Sequence, residues 1–301
     1  MNKKIKVAII GSGNIGADLL IKVNRSEHLE CGAFIGRSLN SQGLMMAQKL
    51  GVRTSAQGID YIINNPDCCD IVFDATSASA HIVHAPILAS MNKFVVDLTP
   101  AKIGKMCVPA VNLDECLDEK NVNMVTCGGQ ASTPIAYAIG QTQKDVDYIE
   151  VVSSIASRSA GPATRVNLDE YIHTTESAVK LFSGAARTKA ILNLNPAVPP
   201  IIMQTTIMAK VASPDLEKLR PFLNAIVAKV KSYVPDFEVK VGPIVENGRI
   251  VIILSVKGQG DYLPEYAGNL DIINCAAIGV AERWASEQLE QKIKNPGGLY
   301  Q

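Results

Sequence analysis

Aromatic residues are scarce in this 301-residue chain, 5% in all with a single Trp. Its 47% hydrophobic content is therefore largely Ala, Val and Ile, the usual filling of parallel strands covered on both faces by helices. Surplus charge is also lacking, since 29 Lys and Arg balance 29 Asp and Glu. With no basic excess to neutralise a phosphate backbone, nucleic acid is excluded as an expected partner. Mean hydropathy is high at +0.14, yet polar residues interrupt every apolar run well short of the ~18 residues that span a bilayer. No passage through a membrane is expected.

Metal-binding spacing is missing as well. The four histidines, His28, His81, His84 and His173, form no HExxH pattern, and no CxxC pair occurs, so no metal is expected. His81 and His84 sit three apart and read as ordinary helix residues beside a cleft, because two ligands without a third make a poor metal site. The seven cysteines are an odd set, and Met1-Asn2-Lys3-Lys4 leads straight into a strand-like run with no signal peptide. Reduced thiols and a cytoplasmic location are expected. At ~150 residues per domain, the length favours two domains.

What is present begins with a strand, Ile5–Ile10, then Gly11-Ser12-Gly13-Asn14-Ile15-Gly16, then a helix from Ala17 to Asn24. A second strand, Cys31–Ile35, ends in Gly36-Arg37-Ser38, and a helix over Ser41–Leu50 follows. Further strands read at Ile71–Ala75, Phe94–Leu98 and Val122–Cys127 with helical patterns between them, which predicts a parallel sheet. Beyond Cys127 the strands lengthen: Tyr148–Ser157, Ile201–Ala209, and Glu238–Val245 joined to Arg249–Val256 through Glu246-Asn247-Gly248, a hairpin signal. Helices are expected over Asn167–Phe182, over Asp215–Ser232 with Ser213 as cap, and over Asn269–Leu289, the last returning to the first domain. The fold class is α/β: a Rossmann dinucleotide-binding domain of residues 1–127 and 268–301, plus an α+β catalytic and dimerisation domain of residues 128–267 with a mostly antiparallel sheet.

Gly11-x-Gly13-x-x-Gly16 follows a strand and opens a helix, the context in which glycines admit a pyrophosphate to the helix N-terminus. The carboxylate expected at the end of the second strand to hold the ribose is replaced by Gly36-Arg37-Ser38. NADP is thus possible beside NAD. Cys127, read as closing its strand, precedes Gly128-Gly129-Gln130 and a helical Ala131–Gln141 stretch with Pro134 in its first turn. A thiol facing a helix N-terminus should ionise more easily than a free one, and the flanking glycines would let N–H groups reach an oxyanion. The local residues leave nucleophile and small core residue both open.

Four blocks carry a resemblance. Asp97-Leu98-Thr99-Pro100-Ala101, Met124-Val125-Thr126-Cys127-Gly128-Gly129-Gln130, Ser159-Ala160-Gly161-Pro162-Ala163-Thr164-Arg165, and Gly260-Asp261-Tyr262-Leu263-Pro264 through Tyr266-Ala267-Gly268-Asn269-Leu270-Asp271 occur in this order and resemble the acylating acetaldehyde dehydrogenases over nearly the whole chain. The resemblance implies conversion of acetaldehyde, NAD+ and coenzyme A to acetyl-CoA and NADH, often as the last step of an aromatic meta-cleavage pathway. It places the nucleophile on Cys127, cofactor contacts on Ser12, Gly13, Asn14 and Ile15, between the fingerprint residues Gly11 and Gly16, and on Ser159, Ala160, Gly161, Pro162, Ala163, Thr164, Arg165, Val166 and Asn167, and a nicotinamide contact on Asn269. It also implies a homodimer and a complex with a 4-hydroxy-2-oxovalerate aldolase. Two positions depart from the family pattern: Thr205 stands where relatives tend to carry Asp, and Ser38 where they commonly carry another Asp.

Three other readings compete. A phosphate-dependent semialdehyde dehydrogenase would share the two-domain plan and the Cys but needs a catalytic His in the second domain, where only His173 is available. A Rossmann oxidoreductase without covalent catalysis would tolerate loss of Cys127. A non-catalytic NAD-binding subunit of an aldolase complex would bind the dinucleotide without turnover.

Overall fold

The computed structural model describes residues 4–294; residues 1–3 and 295–301, the ends of the expected first domain, lie outside the described residues. The first half alternates strand and helix: β1 (Ile5–Ile10), α1 (Asn14–Arg25), β2 (Leu29–Ile35), α2 (Gln42–Lys49), β3 (Thr54–Ser55), α3 (Ile59–Asn64), β4 (Ile71–Asp74), α4 (Ala78–Ser90), β5 (Phe94–Asp97), β6 (Lys105–Met106), α5 (Pro109–Asn112) and β7 (Asn121–Asn123). These strands form one parallel sheet in the order β3-β2-β1-β4-β5-β7-β6. Every residue of β4 and β5 is buried, as strands sandwiched between helix layers must be. Strand order reverses between β1 and β4, opening a crevice at their carboxyl ends.

The second half runs α6 (Cys127–Thr142), β8 (Val146–Ala156), α7 (Pro162–Val166), α8 (Leu168–Ser183), β9 (Arg187–Asn195), β10 (Met203–Val211), α9 (Leu216–Lys231), β11 (Phe237–Glu246), β12 (Arg249–Val256) and α10 (Gly268–Lys294). Its sheet is ordered β11-β12-β10-β8-β9, antiparallel except for the β8/β9 pair. Burial alternates along β10, with Met203, Thr205, Ile207, Ala209 and Val211 inward, so one face packs on helices and the other is open. Asn247 and Gly248 both adopt positive φ, 49° and 73°, the geometry a two-residue hairpin demands.

Four sequence expectations are corrected. Strand β7 ends at Asn123, and Cys127 opens helix α6 instead of closing a strand. Pro134 consequently lies inside that helix, beyond its first turn. Helix α9 is capped by Asp215, whose side chain accepts from Lys218 N at 2.9 Å, and not by Ser213. Strand β9 was not anticipated; its Arg, Thr, Lys and Asn content conceals an edge strand with only Ala190 buried.

Helix α10 packs on α1, β2 and β5 of the first layer and also on α6. Its Trp284 stacks on Phe94 with ring centroids 5.0 Å apart. Lys22 on α1 binds Asp271 on α10 at 2.8 Å and Asp261 in the preceding loop at 2.9 Å, with Asp18 at 3.5 Å. One apolar core runs through both sheets and joins them. Among the described residues no helix is long and apolar enough to cross a membrane.

Candidate active site

At the crevice between β1 and β4, Gly11 takes φ 117°, a conformation that L side chains rarely adopt. A Cβ there would strike the Ala75 carbonyl, and one at Gly16 would strike the Gly11 carbonyl, so strand, turn and helix close on one another. Gly13 has open space around it and, like Asn14, is exposed; Ser12 and Ile15 are half-buried. The first turn of α1 holds no acidic residue, which leaves its N-terminal N–H groups free to face an anion. At the ribose end, Ser12 Oγ meets Ser41 Oγ at 3.0 Å, and Arg37 and Ser38 are exposed.

The turn before Cys127 is held from the parallel sheet. Val125 adopts φ 62°, a strained value for a β-branched residue. Its N–H donates to Asn123 Oδ1 at 2.9 Å, while Asn123 Nδ2 donates to Asp97 Oδ2 at 2.7 Å and to Thr99 O at 3.0 Å. Thr126 then caps α6, its hydroxyl accepting from Gly129 N at 2.8 Å. Behind this turn, His81 lies between Asp74 (2.9 Å) and Asp97 (3.4 Å), and His84 also reaches Asp74 at 2.8 Å. Burial pushes the Asp97 carboxyl up to about 6, partly offset by His81 and the Thr99 and Asn123 hydrogen bonds. Burial would raise Asp74 too, but its hydrogen bonds from His81, His84 and Thr76 hold it well below the usual carboxylate range. His81 and His84 are therefore parts of a carboxylate network, with His81 fully buried.

Residues 127–136 of α6 are buried without a break. This corrects the expectation of an easily ionised thiol: burial pushes Cys127 up, and the Tyr171 hydroxyl and the N–H groups of Gly128 and Cys127 only partly oppose it. Tyr171 Oη stands 3.6 Å from Cys127 Sγ. A side chain at position 128 would collide with that hydroxyl. Beside it, Ser153 Oγ meets Thr205 Oγ1 at 3.0 Å, with Thr205 fully buried.

Asn269 sits at the start of α10, 1% exposed, with both Oδ1 and Nδ2 buried and lacking a hydrogen-bond partner. An unpaired buried carboxamide has a donor and an acceptor to offer a matching amide. The loop ahead of it, with Tyr262, Leu263, Tyr266 and Ala267, packs together with Leu270 of α10 on Ile15 of the glycine turn. The chain thus brings Asn269 toward the glycine loop although 253 residues separate Asn269 from Gly16. Ser159 and Ala160 are buried after β8, Gly161 and Thr164 are half-buried, Val166 is exposed, and Asn167 precedes α8. Pro162 and Ala163 lie in α7. Arg165 fastens its own turn, donating to Ala160 O and Ser157 O, each at 3.0 Å, and to Ser157 Oγ at 2.9 Å. The residues present fit NAD: open glycine backbone at a helix start and an orphaned carboxamide nearby. A separate cavity of about 650 Å³, lined by residues of α5, α9 and α10, Arg283 among them, and by Tyr233 just beyond α9, contains none of these groups.

Sequence reasoning missed Tyr171, Asn123 and the His81–Asp74 pair. Asp74 and Asp97 each end a short apolar parallel strand, a position that marks the ligand edge of such sheets. Nothing in the spacing links Tyr171 to Cys127.

A parallel-sheet domain with a glycine turn, joined to a mixed-sheet domain that presents a buried thiol at a helix start, defines the class of two-domain NAD-dependent dehydrogenases. Residues 6–118 match the family model "Semialdehyde dehydrogenase, NAD binding domain", and residues 127–264 match "Prokaryotic acetaldehyde dehydrogenase, dimerisation". Acetaldehyde dehydrogenase from Spirochaeta aurantia is 61% identical, covering 96% of this chain and 97% of that one. The acetaldehyde dehydrogenase of Pectobacterium atrosepticum is 57% identical, covering 95% and 97%. Aspartate semialdehyde dehydrogenase from Candida albicans shares the fold at a TM-score of 0.69, with 13% identity over 95% of this chain and all of that one. The chain belongs to the acetaldehyde dehydrogenase family.

Proposed function

We propose that this chain is a CoA-acylating acetaldehyde dehydrogenase that works through Cys127. The observation that carries the reading is the placement of a buried thiol at the first turn of α6, where the N–H groups of Gly128 and Cys127 face its sulfur. Covalent catalysis divides one hard oxidation into two easier steps. The Cys127 sulfur bonds to the aldehyde carbon, and the carbonyl electron pair moves to oxygen, which N–H groups at the start of α6 and the Asn269 amide would stabilise. The Gly11–Gly16 turn, residues 159–167 and Asn269 would hold NAD+, which when bound accepts the hydride that leaves a thioester on Cys127. The CoA thiol then displaces Cys127. Burial of the thiol excludes the competing water, and no carboxylate base is needed to activate one.

Supporting the dimer is the family model that names this region for dimerisation, together with a sheet whose second face is open. We read residues 1–127 and 268–301 as the dinucleotide domain and residues 128–267 as the catalytic and dimerisation domain, in a cytoplasmic enzyme that receives its aldehyde from a 4-hydroxy-2-oxovalerate aldolase. Arg37 and Ser38 leave NADP admissible beside NAD.

The test mixes pure protein with acetaldehyde, CoA and NAD+ and follows NADH absorbance together with thioester formation, then replaces CoA by phosphate. Equal amounts of NADH and thioester, with little turnover on phosphate, support the reading. Preference for phosphate, or dinucleotide binding without any turnover, overturns it.

A further inference from the structure

We propose that the Tyr171 hydroxyl is a catalytic group of this chain, donating to the Cys127 sulfur once the thiol has released its proton and so holding the nucleophile as a thiolate. The proposal rests on the reading of Cys127 as the nucleophile.

Three geometric observations carry it. Tyr171 Oη lies 3.6 Å from Cys127 Sγ, within the reach of a hydrogen bond to sulfur, and Tyr171 is 7% exposed. Position 128 is glycine, and any Cβ there would occupy the space the hydroxyl fills. The Gly128 N–H and the Thr126 hydroxyl also face the tyrosine oxygen. The Gly128 N–H directs its hydrogen at the oxygen, whereas Thr126 Oγ1 donates to Thr175 Oγ1 at 2.7 Å, since Thr175 spends its own proton on Tyr171 O at 2.8 Å, so the phenol proton is free to turn onto the sulfur.

Among the described residues, Tyr171 is the side chain that joins the Gly128 and Cys127 N–H groups in favouring the ionised sulfur. No charged side chain figures among the groups that shape the ionisation of Cys127. Ser153, the other polar side chain at Gly128, hydrogen-bonds with Thr205 at 3.0 Å. Burial and the neighbouring sulfur hold the Tyr171 phenol far above neutral pH. It therefore cannot accept the thiol proton as a base; it is a permanent donor.

The exchange balances without any further reactant. In the resting thiol, the S–H of Cys127 donates to Tyr171 Oη. On ionisation that proton passes to solvent, the sulfur keeps the electron pair, and the hydroxyl of Tyr171 turns its own proton onto the sulfur. A hydrogen bond to an ion is roughly twice as strong as one between neutral groups, so the pair favours the thiolate over the thiol. When sulfur bonds to the aldehyde carbon its charge moves to oxygen, and the hydroxyl keeps its proton throughout.

The experiment measures the rate of alkylation of Cys127 by iodoacetamide across pH, read by peptide mass spectrometry, in the parent protein and in Tyr171→Phe. Neither aldehyde nor CoA enters this assay, so its outcome is independent of whether the chain turns over acetaldehyde. The expected result is a shift of the Cys127 profile to higher pH by about one unit in Tyr171→Phe, a tenfold loss of thiolate, with NAD affinity unchanged by calorimetry. Superimposable profiles overturn the proposal, even if turnover falls. Protein grown with 3-fluorotyrosine, whose phenol is a stronger donor, provides the second measurement without a substitution. Its profile should move to lower pH, and the same label in Tyr171→Phe should have no effect. An unmoved profile in labelled parent protein overturns the proposal as well.

Discussion

Asn123 donates to the Asp97 carboxylate at 2.7 Å and, through its own carbonyl, accepts from Val125 N at 2.9 Å. One side chain thus ties the end of a parallel strand to the strained residue two places before the thiol. Asn123→Ala removes both links and leaves the buried Asp97 carboxyl short of a donor. We expect a loss of about 1–3 kcal/mol in urea denaturation and at least a tenfold fall in turnover. Unchanged turnover in a destabilised variant would show that the Val125 turn holds its shape without Asn123.

Cys127→Ser should abolish nearly all turnover while leaving dinucleotide binding intact, because a serine hydroxyl is barely ionised at neutral pH and no base stands beside it. Mass spectrometry of enzyme, aldehyde and NAD+ without CoA should find an acyl adduct on the Cys127 peptide. Retained activity, or an adduct solely on another cysteine, would refute covalent catalysis at this residue.

Asn269 has two buried polar atoms without partners, an arrangement that favours the bound state over the free one. Asn269→Leu removes the unpaired groups, so the ligand-free protein should unfold at a higher temperature than the parent while turnover falls at least a hundredfold. Calorimetric melting and NADH formation on the same samples test both halves. A lower melting temperature would show that the amide is satisfied in the free protein.

Asp97 sets a pH dependence with a definite sign. Its carboxyl releases its proton near 3.8 in the unfolded chain and at about 6 in the folded one, so the folded state binds the extra proton between those values. Its contribution to stability is present below about pH 4 and is lost as pH rises to 6, a change of about 3 kcal/mol at most. Relative to Asp97→Asn, the urea midpoint of the parent should therefore decline across that window. Parallel curves would mean that His81 keeps Asp97 ionised throughout.

Arg37→Ala tests the ribose end. Arg37 and Ser38 offer a cation and a hydroxyl to the extra phosphate of NADP. NAD and NADP turnover should lie within about tenfold of each other, ~1.4 kcal/mol, and Arg37→Ala should reduce NADP turnover more than NAD turnover. Equal effects on both cofactors, or no detectable NADP turnover, would show that Arg37 points away from the ribose.

The parts of this molecule legible in the sequence are those encoded by short spacing. The glycine turn announces itself within six residues, the Asn247-Gly248 hairpin within two, and the alternation of short apolar strands with helices specifies the parallel sheet. What stayed hidden depends on tertiary contact. Tyr171 reaches Cys127 only because α8 packs on α6. Cys127 reads as a strand residue because Met124-Val125-Thr126 is rich in strand-forming types, yet the positive φ of Val125 ends the extended run before it. Strand β9 lies at a sheet edge with polar residues outward, so the hydrophobic alternation that reveals inner strands is missing.

The return of α10 to the first layer has a consequence for how the chain is made. Asn274 donates to Asp18 at 2.8 Å across 256 residues, and Trp284 covers Phe94. During synthesis the parallel sheet emerges long before the helix that covers it. Until the loop before α10 and the helix itself leave the ribosome, Lys22 lacks Asp261 and Asp271 and Phe94 lacks its stacking partner. Contacts of such sequence separation close late and slowly, so truncation within α10 should strand the nascent chain with an open apolar face and make it a target for chaperones and proteases.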